Sequence, residues 1–131
     1  MVSWQNDSLH EASGAAAKKL GYKTAVALAP NYQAGKDAIA GFSREFGGEV
    51  TEIASAGTEH LDSWATLRHE LWDEESIASH RAEAAAQLSD SDRFLNLVAL
   101  DNDVVVGFAE ASIRHEYVNG CDESPVLFLE G

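Results

Sequence analysis

Cysteine and proline are scarce in this 131-residue sequence, and lysine is absent beyond residue 36. A single cysteine, Cys121, excludes an internal disulfide and a multi-cysteine zinc site, and it fits a reducing compartment. No apolar run approaches the ~20 residues that span a bilayer. The first residues, MVSWQNDSLHE, have neither the basic nor the apolar segment of a signal peptide, so the chain is expected in the cytoplasm. Positive charge is scarce: 9 Lys and Arg stand against 22 Asp and Glu, a net charge of -13. That balance argues against nucleic acid, whose phosphates need clustered Lys and Arg, and against anionic membranes. It suits a cationic small molecule, with a solubility surface as the plainer use of the same charge.

The charge is not evenly spread. Residues 1–52 hold five basic and six acidic residues, whereas 53–131 hold four basic and sixteen acidic. All four lysines (Lys18, Lys19, Lys23, Lys36) lie before that seam. The first part predicts helix, strand, helix, strand. Ser8 and Glu11 have capping-box spacing, and Gly21 can end the first helix. TAVALA, residues 24–29, suits a short buried strand broken by Pro30-Asn31. Ile39, Phe42 and Phe46 recur at helical spacing, Gly47-Gly48 stops that helix, and a second strand follows over 49–54. Strand, helix, strand with a short apolar first strand predicts parallel pairing and a right-handed crossover.

The second part predicts a helix over 58–72 with an apolar face of Leu61, Trp64, Leu67 and Leu71. An alanine-rich helix should follow over 75–88. FLNLVAL and VVVGFAEASIRH read as two strands around Asp101-Asn102-Asp103, residue types that tolerate positive φ in a tight turn. Residues 125–129 supply a last strand. The whole predicts an α/β chain: one mixed sheet of about five strands with three to four helices, folded as one domain over 1–131.

Two stretches, HLDSWATLRHELW and VVVGFAEASIRHEYVNGCDESPVLFLEG, carry a resemblance over residues 54–131. That segment resembles the N-terminal half of the aminoglycoside 6′-N-acetyltransferases, in the GNAT superfamily. Residues 1–53 resemble an interior piece of one lobe of a type I periplasmic binding protein of the branched-chain amino-acid class, on SWQND, GYKTAVALAPNYQAGKDAIAGF and GGEVTE. The two together imply a chimera, engineered or a natural fusion. The acetyltransferase resemblance implies that the segment lacks the loop that holds the acetyl-CoA pyrophosphate, a turn in which glycines let backbone N–H groups reach phosphate. TAVALA could then complete the sheet beside residues 125–129, or two chains could pair there as a homodimer.

The resemblance also implies an acidic cleft for a polycationic drug. Trp72, Tyr117, Asp122 and Glu130 occupy its substrate-facing positions, with Glu123 adding charge. Each has a plainer use. Trp72 can pack the helix end, Asp122 and Glu123 can be solvated loop residues, and Glu130 can fray. Asp73-Glu74-Glu75 stands where the family often has Pro and Gly. No residue inherits the role of general base. PNYQAGKDA has neither Walker nor acetyltransferase spacing, no GxSxG occurs, and His115, Cys121 and Asp122 make only a weak metal-ligand set. The sequence therefore favours a folded chimera with no catalytic residues, no metal and no cofactor. One alternative is an aminoglycoside N-acetyltransferase using acetyl-CoA, and another is a weak acidic-cleft binder of aminoglycosides.

Overall fold

A computed structural model describes residues 6–29 and 32–131. Its elements run α1 (Asn6–Lys19), β1 (Thr24–Leu28), α2 (Gln33–Phe46), β2 (Glu49–Ser55), a single 3-10 turn (Thr58–His60), α3 (Leu61–Leu71), α4 (Ile77–Leu88), β3 (Phe94–Asp101), β4 (Val104–Arg114) and β5 (Val126–Leu129). The strands form one sheet in the order β1-β2-β3-β4-β5. The mixed α/β class, the five strands and the four helices agree with the sequence reading. The chain divides into two compact units, one of residues up to Ala54 with Leu100–Val104, the other of Ser55–Ala99 with Val105–Gly131.

In the first unit β1 pairs with β2 in parallel, Thr24 opposite Glu49 and Leu28 opposite Ile53. This is the parallel pairing that the strand-helix-strand order predicts. The other expected neighbour of TAVALA, residues 125–129, is corrected: β1 and β5 lie at opposite ends of the strand order. Nor is β1 a buried strand, for Val26 and Leu28 are 72% and 77% exposed. A short apolar run fits an edge strand as well as a central one, and periodicity cannot separate them. Helix α1 starts at Asn6, two residues before the Ser8 expected to cap it. The expected break at Pro30-Asn31 falls outside the described residues.

The core of this unit lies between α1 and α2. Phe46 is buried and stacks on Phe42 with ring centroids 5.3 Å apart. Arg44 ties α2 to Glu11 of α1 through an ion pair. Gly47 caps α2 with φ 65, where a side chain would be strained.

The second unit packs α3 and α4 around Leu61, Trp64 and Ala84, with Phe108 of β4 against them. Ser76 caps α4 by accepting the Ser79 N–H at 3.2 Å. The β3–β4 turn is made by Asn102 (φ 47) and Asp103 (φ 64), as their residue types predict. Strand β5 pairs antiparallel with β4, Ala111 opposite Leu129 and Arg114 opposite Val126.

Gly14 tests the first unit. It is buried in α1, and an added Cβ would collide with the backbone oxygen of Phe42. Helix propensity alone favours alanine there by about 1 kcal/mol. The collision is with backbone, so overpacking should win. Gly14→Ala is expected to destabilise by about 1–3 kcal/mol in urea unfolding; a gain in stability would show that α1 can move away from α2.

Candidate functional site

The end of α3 is held by charge. Leu61, Trp64, Ala65 and Arg68 are its buried residues, spaced to share one helical face. Leu71, expected on that face, is 56% exposed, and Arg68 lies buried in the stripe. A buried guanidinium must be paired. Arg68 donates through Nη1 to both carboxylate oxygens of Glu110 on β4, and through Nη2 to Glu83 on α4 at 2.6 Å. Glu110 is also buried, and it accepts from Trp64 Nε1 at 2.8 Å and from Gln87 Nε2 at 3.3 Å.

Trp72 follows directly, where α3 ends. The Arg68 guanidinium lies 5.0 Å from the centroid of its ring, and Phe108 meets the ring edge-on. The Trp72 carbonyl accepts from His80 Nε2 at 2.8 Å, which leaves His80 Nδ1 buried without a partner. Gly131 packs against the indole so closely that a Cβ there would overlap it.

These groups border a cavity of about 460 Å³. Trp72 lines it with five glutamates, Glu74, Glu75, Glu83, Glu110 and Glu130, and one arginine, Arg68, whose charge is already engaged. Of the four residues the sequence singled out, Trp72 and Glu130 share this cavity. Tyr117, 81% exposed, and Asp122 sit on the loop between β4 and β5 and do not line it. That loop is braced by Ser124 donating to the His115 carbonyl at 2.8 Å.

Glu130 is tied to β4 by main chain and side chain. Its N–H donates to the Glu110 carbonyl at 2.8 Å. Its carboxylate accepts from Ser112 at 2.6 Å and from Arg114 Nη2 at 2.7 Å. Burial pushes the Glu130 carboxyl up, but the hydrogen bonds from Arg114 and Ser112, with the charges of Arg114 and Arg93, outweigh it and hold the group below the ordinary carboxylate range. Glu130 is thus an anion at neutral pH. It can bind a cation, and it is a weak proton acceptor, since a general base works best with a pKa near the operating pH.

Sequence reading missed Arg68, Glu83, His80 and Glu110. The signal was present for Arg68, whose place in the 61, 64, 68 stripe of α3 is a core position, and for Glu110, on an apolar strand. An ionisable residue on each of two core-facing elements suggests a buried pair.

The acidic cavity thus lies beside a strand pair and two helices of an α/β scaffold. No family model matches the chain. Over 80 residues it is 44% identical to aminoglycoside N(6′)-acetyltransferase type 1 of Salmonella typhimurium, covering 61% of this chain and 54% of the relative. Over 73 residues it is 41% identical to the enzyme of that name from Serratia marcescens, covering 56% and 50%. The structure of AAC(6′)-Iy in complex with the bisubstrate analogue CoA-S-monomethyl-acetylneamine matches with TM-score 0.57 and 43% identity, over 62% of this chain and 54% of that one. Apo AAC(6′)-IG from Acinetobacter haemolyticus matches with TM-score 0.56 and 43% identity, over 60% and 53%. About 60% of the chain is therefore related to the aminoglycoside 6′-N-acetyltransferases of the GNAT superfamily. The chain spans about half the length of the curated relatives it matches.

These matches overturn the expectation that no cofactor is involved. Structures matched here hold CoA or a CoA analogue. The expectation rested on not finding the pyrophosphate loop in a chain that spans only about half of its relatives. Such a search cannot bear on cofactor use.

The pH dependence of Glu130 is testable. Its folded pKa lies below its unfolded one, so the fold favours the ionised form. The stabilisation is complete above the unfolded value, about 4.3, and is lost as pH falls through the lower folded value. The stability of the wild type over Glu130→Gln should therefore be constant near neutrality and shrink below about pH 4, followed by urea unfolding across pH. A difference that grows in acid would contradict the Arg114 pairing.

Proposed function

We propose that this chain carries the aminoglycoside-binding half of an acetyl-CoA-dependent aminoglycoside 6′-N-acetyltransferase. One observation carries the proposal: within the segment that resembles these enzymes, Trp72 and Glu130 line one acidic cavity. A drug bearing several ammonium groups matches it in charge and in having apolar ring faces for the indole. On this reading Glu130, Glu74 and Glu75 hold ammonium groups, and Trp72 forms a wall. Tyr117 and Asp122, on the exposed loop, meet parts of the drug that project beyond the cavity.

The described residues fit only part of acetyl-CoA. β5 has β4 as its one neighbour in the sheet order, so its outer edge offers backbone groups to an extended amide-bearing arm. No described residue fits the pyrophosphate. The start of α4 is flanked by Glu74 and Glu75, which would repel phosphate. When bound, acetyl-CoA supplies a thioester carbon for attack by an amine. This chain's contribution is to bind and orient the cationic acceptor.

A second reading has one observation in its favour. One boundary between the two units falls at Ala54, beside the seam in charge, with Leu100–Val104 also in the first unit. Residues 1–53 would then be a segment of separate origin, and the chain a recombined one.

Calorimetric titration with kanamycin, using spermine as a polycation control, tests the proposal. Kanamycin is expected to bind at least about tenfold more tightly than spermine, a difference of about 1.4 kcal/mol. Both affinities should weaken with salt. Kanamycin binding no tighter than spermine would reduce the cavity to a nonspecific acidic surface.

A further inference from the structure

We propose that Arg68 is a positioning residue for the aminoglycoside, acting through Trp72; this rests on the function proposed above. Arg68 is 5% exposed, so its guanidinium is not offered to a ligand as a free charge. Its Nη atoms are taken by Glu110 and Glu83. The Cζ of the same group lies over the Trp72 ring, 5.0 Å from its centroid. Because the Nη atoms are held on two different elements, β4 and α4, the guanidinium is held in place, and it restrains the ring over which it lies.

The rest of Trp72 is fixed independently. His80 holds its carbonyl at 2.8 Å, and Gly131 packs against the indole. Gly131 in turn is tied to β4, because its carbonyl accepts the Glu110 N–H at 2.7 Å. Backbone and far ring edge are thus held without Arg68, and the guanidinium, with Phe108 meeting the ring edge-on, sets the tilt of the ring into the cavity. Lysine cannot replace it. An ammonium keeps the charge near Glu110 and Glu83 but has no planar face and no fork. A stacked cation is also attracted to indole more strongly when desolvated, as here.

A purely structural role and a positioning role separate in a double-mutant cycle. Arg68→Lys and Trp72→Phe are made singly and together in the full chain. Kanamycin affinity is measured by calorimetry, and the Trp72 indole N–H signal by NMR, identified by its loss in Trp72→Phe. Arg68→Lys is expected to shift the indole signal and weaken kanamycin about tenfold, yet weaken it less than twofold when residue 72 is already Phe. Equal losses in both backgrounds would overturn the proposal. So would an indole signal and affinity that do not change, or a shifted signal with unchanged affinity. Should Arg68→Lys fail to fold, Glu83→Ala releases one arm of the fork while leaving Glu110 paired. It should shift the same signal and weaken kanamycin, and no effect on either would equally overturn the proposal. A wild type that does not bind kanamycin would overturn the function itself and this inference with it, a result distinct from Arg68→Lys binding like the wild type.

Discussion

Arg68 and Glu110 face each other inside the second unit with almost no access to water. Two charges taken out of water are costly, and their attraction repays that cost only where the remaining donors and acceptors are also satisfied. Most are satisfied here. Trp64 and Gln87 supply further donors to Glu110, and Glu83 takes the outer arm of Arg68. The exception is Arg68 Nε, which has no partner. Removing either partner would strand the other charge, at a cost of about 3–5 kcal/mol. That is a large share of what holds a small domain folded. The pair therefore constrains everything attached to it: α3 through Arg68, α4 through Glu83 and β4 through Glu110.

The constraint extends to the cavity along the backbone. Glu110 gives its carbonyl to the Glu130 N–H and its own N–H to the Gly131 carbonyl. One residue of β4 thus faces the core with its side chain and fixes two residues beyond β5 with its main chain. Glu130 owes its order to this, and Trp72 is enclosed between Gly131 on one side and Arg68 on another. The buried pair and the acidic cavity are two sides of one arrangement. An apolar pair of similar volume could stabilise the unit as well, but it would offer no planar cation for Trp72 to stack on. That difference is a reason to keep charge in a place where burial penalises it.

Much of the fold was legible because it followed local rules. Gly47 ends α2 at positive φ, Asn102 and Asp103 make the tight turn of the β3–β4 hairpin, and the alanine-rich run is a helix. The parallel pairing of β1 with β2 was legible from the strand-helix-strand order. What could not be read was whether β1 has a second neighbour, because five apolar residues carry no label for a strand on their other side. The site was half legible. Trp72 and Glu130 came from a resemblance, and the structure brings them to one cavity with no such placement for Tyr117 and Asp122. Arg68 was passed over because the α3 stripe was drawn through Leu67 and Leu71 on hydrophobicity alone. A stripe of Leu61, Trp64, Ala65 and Arg68 keeps the same helical phase. Only the knowledge that β4 carries a matching Glu110 makes an arginine there sensible.

The state of Glu130 bears on how such a site divides its labour. Arg114 and Ser112 keep its carboxylate charged well into acid. An anion held this firmly attracts an ammonium, and by the same attraction it stabilises the protonated form of the amine. Attack on a thioester needs the amine neutral. A group that binds the amine as a cation therefore opposes the step that follows, unless a different group takes the proton. Glu130 cannot be both, since the pairing that fixes it as an anion lowers its basicity. On the function proposed above, the cavity suits recognition of a polycation and orientation against Trp72, while the proton would leave toward a group of higher pKa than Glu130. Binding and proton removal would then be separable, and the described residues of the cavity would serve the first.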